Sequence, residues 1–213
     1  MEISAREYAE REGVSVQRVR QLIESGAVPA RKVGRAWLIE ASAPKRVAAA
    51  VRPFSADSVF EKALALSGEK SSVRGDRVRN WRERLASESE PESLLVAWLA
   101  RRAERRSYIA DSEDIADLQA DPRIALSGVS HPAAQLSSGR EIEGYVEESQ
   151  AKKMVREFLL RPAADGQGNV VLHVAKHKPE RVPELIVAAD LADRGGYRER
   201  EAARRIIREV VGK

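Results

Sequence analysis

The sequence of 213 residues contains no cysteine, few aromatic residues and no long apolar run. Without cysteine the chain can form neither a disulfide nor a thiolate metal site, which fits the reducing cytoplasm. Aromatic residues make up only 5%, so the core must consist mainly of alanine, valine, leucine and isoleucine. No apolar stretch approaches the ~20 residues that a membrane-spanning helix needs, and the acidic N-terminus is unlike a signal peptide. We therefore expect a cytoplasmic protein with no membrane partner.

Charge, by contrast, is abundant and slightly positive. Lysine and arginine number 37 against 33 acidic residues, a net charge of +4. This excess mildly favours a nucleic-acid partner. Arginines cluster at residues 74–84 and 101–106, whereas acidic residues gather at 141–148. Because the charge is distributed unevenly, we expect different regions to face different partners.

The most informative segment is residues 2–40, whose pattern predicts two short helices and a β-hairpin. Ser4 and Glu7 form a capping box, in which each side chain accepts a hydrogen bond from the other residue's backbone N–H. The first helix is expected to end at Glu12, with Gly13 in the turn. Two helices joined by a short turn containing glycine are typical of a helix-turn-helix.

The second predicted helix is the candidate DNA-recognition helix. It covers about residues 16–25, with Ser15 as its N-cap and Gly26 at its end. The apolar residues at helical spacing, expected to face inward, are Val19, Leu22 and Ile23. The polar residues on its other sides are Gln17, Arg18, Arg20 and Gln21. Because arginine and glutamine can form bidentate hydrogen bonds with guanine and adenine, we expect these four to contact bases and Ser15 to lie near the DNA backbone.

Residues 28–39 are predicted to form the hairpin. Gly34 and Arg35 suit a two-residue turn with glycine in the first position. The basic residues of this wing, expected to contact phosphates, are Arg31, Lys32 and Arg35. Trp37 follows the turn and is expected to pack beneath the wing. A helical hairpin used only for packing is the alternative interpretation of the whole segment.

Several short runs in this segment match a known pattern. They are Ile3–Ala9, Gly13–Ser15, Val19–Ile23, Gly26, Pro29 and Lys32–Trp37. On these residues the segment resembles the excisionase-type, MerR-like winged helix-turn-helix family. The resemblance covers about a fifth of the chain, and it implies binding of double-stranded DNA.

Beyond residue 42 the pattern predicts helices first and then alternating strands and helices. Helices are predicted over 55–67, 76–86 and from a capping box at 89–92 to about 106. Strands are then predicted at 123–127, 142–146 and 169–175, and helices at 148–159, 183–194 and 197–211. The expected class is α+β: a winged helix-turn-helix at 1–42, a linker and helical segment at 43–106, and a small α/β domain at 107–213 for partner binding or self-association.

A second set of runs matches another pattern. They are Arg52–Ser55, Leu66–Glu69, Asp121–Arg123, Leu126–Ser130, Glu143–Val146 and Val187–Leu191. These runs resemble actinobacterial helix-turn-helix proteins that are similar in layout to antitoxins of the abortive-infection, type IV toxin–antitoxin class. The resemblance implies a transcriptional regulator that represses its own operon, with a nucleotidyltransferase-like toxin as partner. The alternative is an excisionase-like factor that bends DNA for recombination, although such factors are little more than the winged helix.

The titratable residues do not suggest catalysis or a metal site. His173 and His177 are four apart in a strand pattern, where they would lie ~13 Å from each other and could not share one ion. Asp190 and Asp193 lie on one predicted helix beside Arg194, where a solvated face or a helix salt bridge is the favoured interpretation. We therefore expect a protein that is not an enzyme and that has no metal and no cofactor.

Some surfaces allow two interpretations. The arginines of the 76–86 helix either contact DNA phosphates or form a solvated face, whereas those at 101–106 are expected to complement the dipole at a helix end. The acidic segment 141–148 either meets a basic partner or is an ordinary strand edge and helix start. A homodimer is expected, because two copies would grip a longer DNA site. The candidate surfaces for this pairing are the last helix and the apolar set Leu94, Leu95, Trp98 and Leu99. The alternative is that both surfaces are buried in the protein core.

Overall fold

The computed structural model describes residues 2–12, 15–24, 28, 30–34, 36–40, 51–137, 139–164 and 166–212. The chain forms two compact units, one within residues 1–51 and the other within residues 52–213. Helices and strands occur in both units, so the expected α+β class is confirmed. No helix of the described residues has both the length and the apolar character needed to cross a membrane.

The first unit combines a small sheet with two helices. Its elements are β1 (Glu2–Ser4), α1 (Ala5–Glu12), α2 (Val16–Glu24), β2 (Ala30–Val33) and β3 (Ala36–Glu40). The antiparallel sheet has the order β1–β3–β2, which makes β2 an edge strand. Gly34 begins the hairpin turn with a φ of +60°, a conformation that glycine adopts without strain. Both predicted helices and the hairpin are present as elements, whereas the short strand β1 was not predicted.

The start of α1 follows the predicted capping box. The backbone N–H of Ser4 donates to Glu7 Oε2 at 2.7 Å, and the N–H of Glu7 donates to Ser4 Oγ at 3.2 Å. The bond from the Ser4 backbone is the main reason that the pKa of Glu7 lies below its ordinary value. Behind this helix start, the core of the unit is centred on the fully buried Tyr8, Val19 and Ile39.

The second unit is built on a five-stranded mixed sheet. Its elements are α3 (Val59–Leu66), α4 (Gly75–Ser87), α5 (Pro91–Trp98), β4 (Glu104–Ile109), α6 (Asp114–Ala120), β5 (Ala125–Leu126), β6 (Ile142–Glu147), α7 (Glu148–Glu157), β7 (Arg161–Pro162), β8 (Val170–Ala175), α8 (Glu184–Arg194) and α9 (Tyr197–Val211). The strand order is β5–β6–β8–β4–β7. Strands β6 and β8 are parallel, and the other three pairs are antiparallel.

Helices cover both faces of this sheet. On one face, α6 and α7 pack over an apolar core that includes Ile142, Val146 and Leu172. On the other face lies α8, whose residues 185–191 are all buried, with α3, α5 and α9 packed around it. Since side chains alternate along a strand, Glu143, Tyr145 and His173 point toward α8 rather than toward the apolar core. One face of the sheet is therefore apolar, and the other carries buried polar groups.

The structure corrects the predicted boundaries in the middle of the chain. The helix predicted to reach about residue 106 ends at Trp98, and residues 104–109 form β4, because they pair with β8 inside the sheet. The N-cap of α5 is Glu90, and no side chain caps this helix. Helix α6 was not predicted. Because α5 packs against both α8 and α9, residues 52–106 belong to the same compact unit as residues 107–213, which differs from the expected three-part division.

Candidate functional site

The exposed side of α2 is the candidate site of the first unit. Val19 and Ile23 are only 0% and 8% exposed, as expected for inward-facing residues. Gln17 and Arg20 are exposed and lie three apart, so they share the side of the helix that points away from the core. Ser15, just before the helix, is exposed as well. The side chains of the other predicted contacts on this helix, Arg18 and Gln21, and that of Leu22 lie outside the described part of the structure.

The hairpin carries basic residues on both faces of its edge strand. Lys32 lies opposite Trp37 in the strand register, and its Nζ is 5.8 Å from the centre of the Trp37 ring. Arg31 lies opposite Leu38, so its side chain is on the other face. Both basic side chains are exposed, and Trp37 packs against the core of the unit, as expected. Arg35 lies outside the described residues.

A second candidate site, which the sequence did not predict, lies between the sheet of the second unit and α8. We call it the buried polar cluster. Its members are Arg102, Ser127, Ser130, Glu143, Tyr145, His173, Asp190 and Arg194. Arg194 is partly exposed, whereas every other member is at most 8% exposed. Such a group is stable only if its members satisfy one another's hydrogen bonds.

Asp190 on α8 is the centre of one half of this cluster. Its Oδ1 accepts hydrogen bonds from Arg102 Nε at 2.6 Å and from the Tyr145 hydroxyl at 3.1 Å, and its Oδ2 accepts one from Ser127. Arg102 also bonds Asp193. Burial by itself would lower the pKa of Arg102, but Asp190, Tyr145 and Asp193 together outweigh burial, so the pKa of Arg102 is raised. For Tyr145, by contrast, burial raises the pKa of the hydroxyl well above its ordinary value.

Glu143 on β6 is the centre of the other half. Its Oε1 lies 3.0 Å from Nε2 of His173, and its Oε2 accepts a hydrogen bond from Arg194 Nη1 at 3.1 Å. The same nitrogen of His173 lies 3.6 Å from Asp190 Oδ1, so the histidine joins the two halves. The His173 ring also stacks on Tyr145, with the ring centres 4.8 Å apart.

A tight turn encloses the Glu143 carboxylate. Gly128 begins the 3-10 turn Gly128–Ser130 with a φ of +50°, and a Cβ at this position would overlap the carboxylate. The N–H of Val129 points at Glu143 Oε2 from 3.4 Å, and the N–H of Glu143 donates to Ser130 Oγ at 2.9 Å. Glycine is therefore needed at residue 128 both for the backbone conformation and for space.

The cluster is closed to solvent. Glu143, His173 and Asp190 are at most 1% exposed, and none of the three lines the surface cavities formed by residues 129–141 and α9. No group of three or more potential metal ligands occurs in the described part of the chain. The arrangement is an internal hydrogen-bond network that fixes α8 on the sheet.

These contacts overturn several expectations. Asp190 is expected on a solvated face or in a salt bridge along its helix, but it is fully buried and its ion pair is with Arg102, outside α8. The arginines at 101–106 do not end a helix, since Arg102 belongs to the cluster and residues 104–109 form a strand. The acidic segment 141–148 is not one surface, because Glu143 is buried.

Other predicted surfaces are partly or wholly used inside the fold. Within α4, Arg82 donates to the carbonyl oxygens of Leu66 and Val210, whereas Arg77 and Arg79 remain exposed. The two candidate faces for pairing copies are core. Their buried residues are Leu94, Leu95, Trp98 and Leu99 on and after α5, and Ala203, Ile206, Ile207 and Val210 on α9. Those faces are therefore not free to contact a second copy.

Comparisons of the chain with models of protein families, with characterised proteins and with solved structures found no match.

Proposed function

We propose that this protein is a sequence-specific DNA-binding transcriptional regulator, and that its first unit acts as a winged helix-turn-helix. The observation that carries the proposal is the two-sided character of α2. Val19 and Ile23 anchor this helix in the core, while Gln17 and Arg20 project from its other side. Both exposed residue types can recognise base edges.

The dimensions and the charge of the unit support this function. The nine residues of α2 give a helix ~13 Å long, which suits insertion into a major groove ~12 Å wide. The edge strand β2 adds the exposed Arg31 and Lys32, and basic side chains of this kind contact phosphates in protein–DNA complexes. We assign base recognition to α2 and phosphate contacts to the hairpin.

The second unit favours a regulator over an excisionase-like factor. A factor that only bends DNA needs little beyond the winged helix, whereas residues 52–213 form a unit with a core of its own. The resemblance described above supports a self-repressing antitoxin as the particular form of regulator. Its partner would be a nucleotidyltransferase-like toxin encoded next to it, and relief of that toxin's growth inhibition on co-expression is the test.

DNA binding itself is tested by selecting sites from a random DNA pool with the full chain. On the selected site, Gln17→Ala or Arg20→Ala should each weaken binding by ~1–3 kcal/mol, and binding to random DNA should change far less. Arg200→Ala is the matched control, because it removes an exposed arginine from α9 in the second unit. The proposal fails if no sequence is enriched. Equal weakening on selected and random DNA would instead assign Arg20 to a phosphate contact.

A further inference from the structure

The two helices on the apolar face of the second unit's sheet carry opposite charges on their exposed sides. The exposed acidic residues on and just before α6 are Asp111, Glu113 and Asp117. The exposed basic residues on α7 are Lys152, Lys153 and Arg156, whereas its exposed acidic residues, Glu148 and Glu157, lie at its two ends. Within the described part of the chain, neither the three acidic side chains of the α6 set nor the three basic side chains of α7 have a hydrogen-bond or ion-pair partner. Three unpaired carboxylates and three unpaired cations therefore lie on two helices of the same face of the sheet.

Arg123 forms ion pairs at the ends of both the acidic α6 and the basic α7. Arg123 bonds Asp121 at the end of α6 through Nη2 at 2.6 Å, and Glu157 in the last turn of α7 through Nη1 at 2.6 Å. The C-terminal ends of the two helices are therefore adjacent.

Leu159, which follows the end of α7, is unusual in two respects. Its side chain is 81% exposed, and its backbone has a φ of +47°, the left-handed conformation that normally favours glycine at this position after a helix. The N–H of Leu160 donates to the carbonyl of Val155 at 2.9 Å, as in a Schellman motif. Because Leu159 follows Glu157 by two residues, an exposed apolar side chain lies close to the boundary between the acidic and basic helices.

We propose that α6 and α7 form the surface through which two copies of this chain pair. A two-fold axis near Leu159 sets the basic α7 of each copy against the acidic α6 of the other, so that both sets of charges are matched at once. The same contact covers Leu159. A leucine that the fold holds in a strained and solvent-exposed position then gains the apolar environment that the isolated unit does not provide.

Charge complementarity within one chain identifies the occupant as a second copy rather than as DNA. A nucleic acid would be attracted by α7 but repelled by α6. The need for two copies comes from the proposed function, on which the inference rests to that extent, because one small DNA-binding unit gives little specificity. The faces on α5 and α9 are already buried in the core and are not available for this contact.

The test is sedimentation velocity of the full chain over a range of concentrations. Leu159→Gly should weaken the dimer by about tenfold to a hundredfold, because a leucine side chain is no longer buried. The same change should leave the thermal stability of the monomer unchanged or raised, because glycine relieves the backbone strain. A merely structural leucine would not give these opposite effects.

Charge reversal gives a second, independent measurement. Lys153→Glu with Arg156→Glu should abolish the homodimer, and so should Glu113→Lys with Asp117→Lys. Mixing the two variants should restore a heterodimer. The matched control, Arg77→Glu with Arg79→Glu on α4, should dimerise as the original chain does.

The proposal is overturned if the chain is a monomer both free and on selected DNA, or if all these variants dimerise equally well. It is also overturned if reversal on α7 weakens DNA binding by a monomer, which would make α7 a nucleic-acid contact. The two proposals fail separately. A dimer broken by these variants but without a selected DNA site contradicts the DNA-binding function alone, whereas a monomer that binds a selected site contradicts the pairing alone.

Discussion

The carboxylate of Asp190 links α8 to three other segments of the second unit. It neutralises Arg102, which comes from the segment after α5, and it satisfies hydroxyl groups on Tyr145 and Ser127. Removing one partner of a buried ion pair leaves the other charge unpaired in a poorly solvated site. The fixing of α8 against the sheet therefore depends on this carboxylate.

We expect Asp190→Ala to destabilise the protein by ~3–5 kcal/mol, measured by chemical denaturation, because Arg102 remains buried without its partner. Asp193→Ala is the control, since its carboxylate is 29% exposed and makes the outer contact with the same arginine. It should lower the free energy of unfolding by ~1 kcal/mol or less. Equal losses in the two variants would contradict a central role for Asp190.

Tyr145 gives a prediction about alkaline pH. The pKa of Tyr145 is raised in the folded protein. The protonated hydroxyl therefore contributes its full share to the free energy of unfolding at any pH below about 10, the tyrosine pKa in the unfolded chain. That contribution is lost as the pH rises from there through the pKa of the folded protein. In the native protein, Tyr145→Phe should therefore leave the tyrosinate absorbance that develops around pH 10 unchanged. Tyr197→Phe should lower it, because Tyr197 is 81% exposed. A loss of that absorbance in Tyr145→Phe would show that burial does not hold the proton.

At the residue scale, the sequence predicted the contacts whose partners are close along the chain. Ser4 and Glu7 are three residues apart, and their capping bonds are local. Arg102 and Asp190 are 88 residues apart. No local pattern distinguishes an arginine that will be buried by a distant aspartate from one that ends a helix, and for that reason the cluster was not predicted.

At the scale of an element, the edge strand β2 limits how the hairpin can contact DNA. Arg31 and Lys32 point to opposite faces of the hairpin, so both can contact one phosphate backbone only if the free edge of β2 lies along it. Under the proposed function, we therefore expect the hairpin to contact phosphates rather than to read bases.

We expect Arg31→Ala and Lys32→Ala each to lower the salt slope of the logarithm of DNA affinity by ~0.9, and the double variant to lower it by the sum. Affinity should be measured across a series of salt concentrations, with Lys70→Ala in the second unit as control. If only one of the two variants changes the slope, the hairpin lies flat against DNA and presents one face.

Periodicity decided which elements the sequence could predict. The helices α2, α7, α8 and α9 were predicted close to their observed bounds because their apolar residues recur at helical spacing. Strand β4 was missed because it follows α5 closely and begins with the charged residues Glu104, Arg105 and Arg106. Its conformation comes from pairing with β8 in the sheet, and no sequence pattern local to β4 reports that pairing.

At the scale of the whole molecule, the two units have separate cores. The core of the first unit is formed by apolar residues between Ile3 and Ile39, including Tyr8 and Val19. In the second unit, the sheet, α6 and α7 share a separate apolar core. Binding energy gained by one unit is therefore expected to stabilise that unit first.

DNA should accordingly change hydrogen exchange in one unit far more than in the other. We expect amides of α2 and β2 to exchange more slowly on a selected DNA site, and those of β6 and β8 to exchange at the same rate as in the free protein. Random DNA of the same length is the control. Equal slowing in β6 and β8 would mean that the two units act as one cooperative body.

The buried polar cluster also offers a way to recognise distant homologues of this protein. Its members come from segments far apart in the chain, and they constrain one another: residue 128 cannot acquire a side chain while Glu143 keeps its place. Substitutions at these positions should therefore be inherited as matched sets rather than singly. The spaced signature is an arginine at 102, Ser-Gly-Val-Ser at 127–130, Glu-Gly-Tyr at 143–145, a histidine at 173 and an aspartate at 190. Such a signature can trace ancestry between chains whose overall similarity has already been lost.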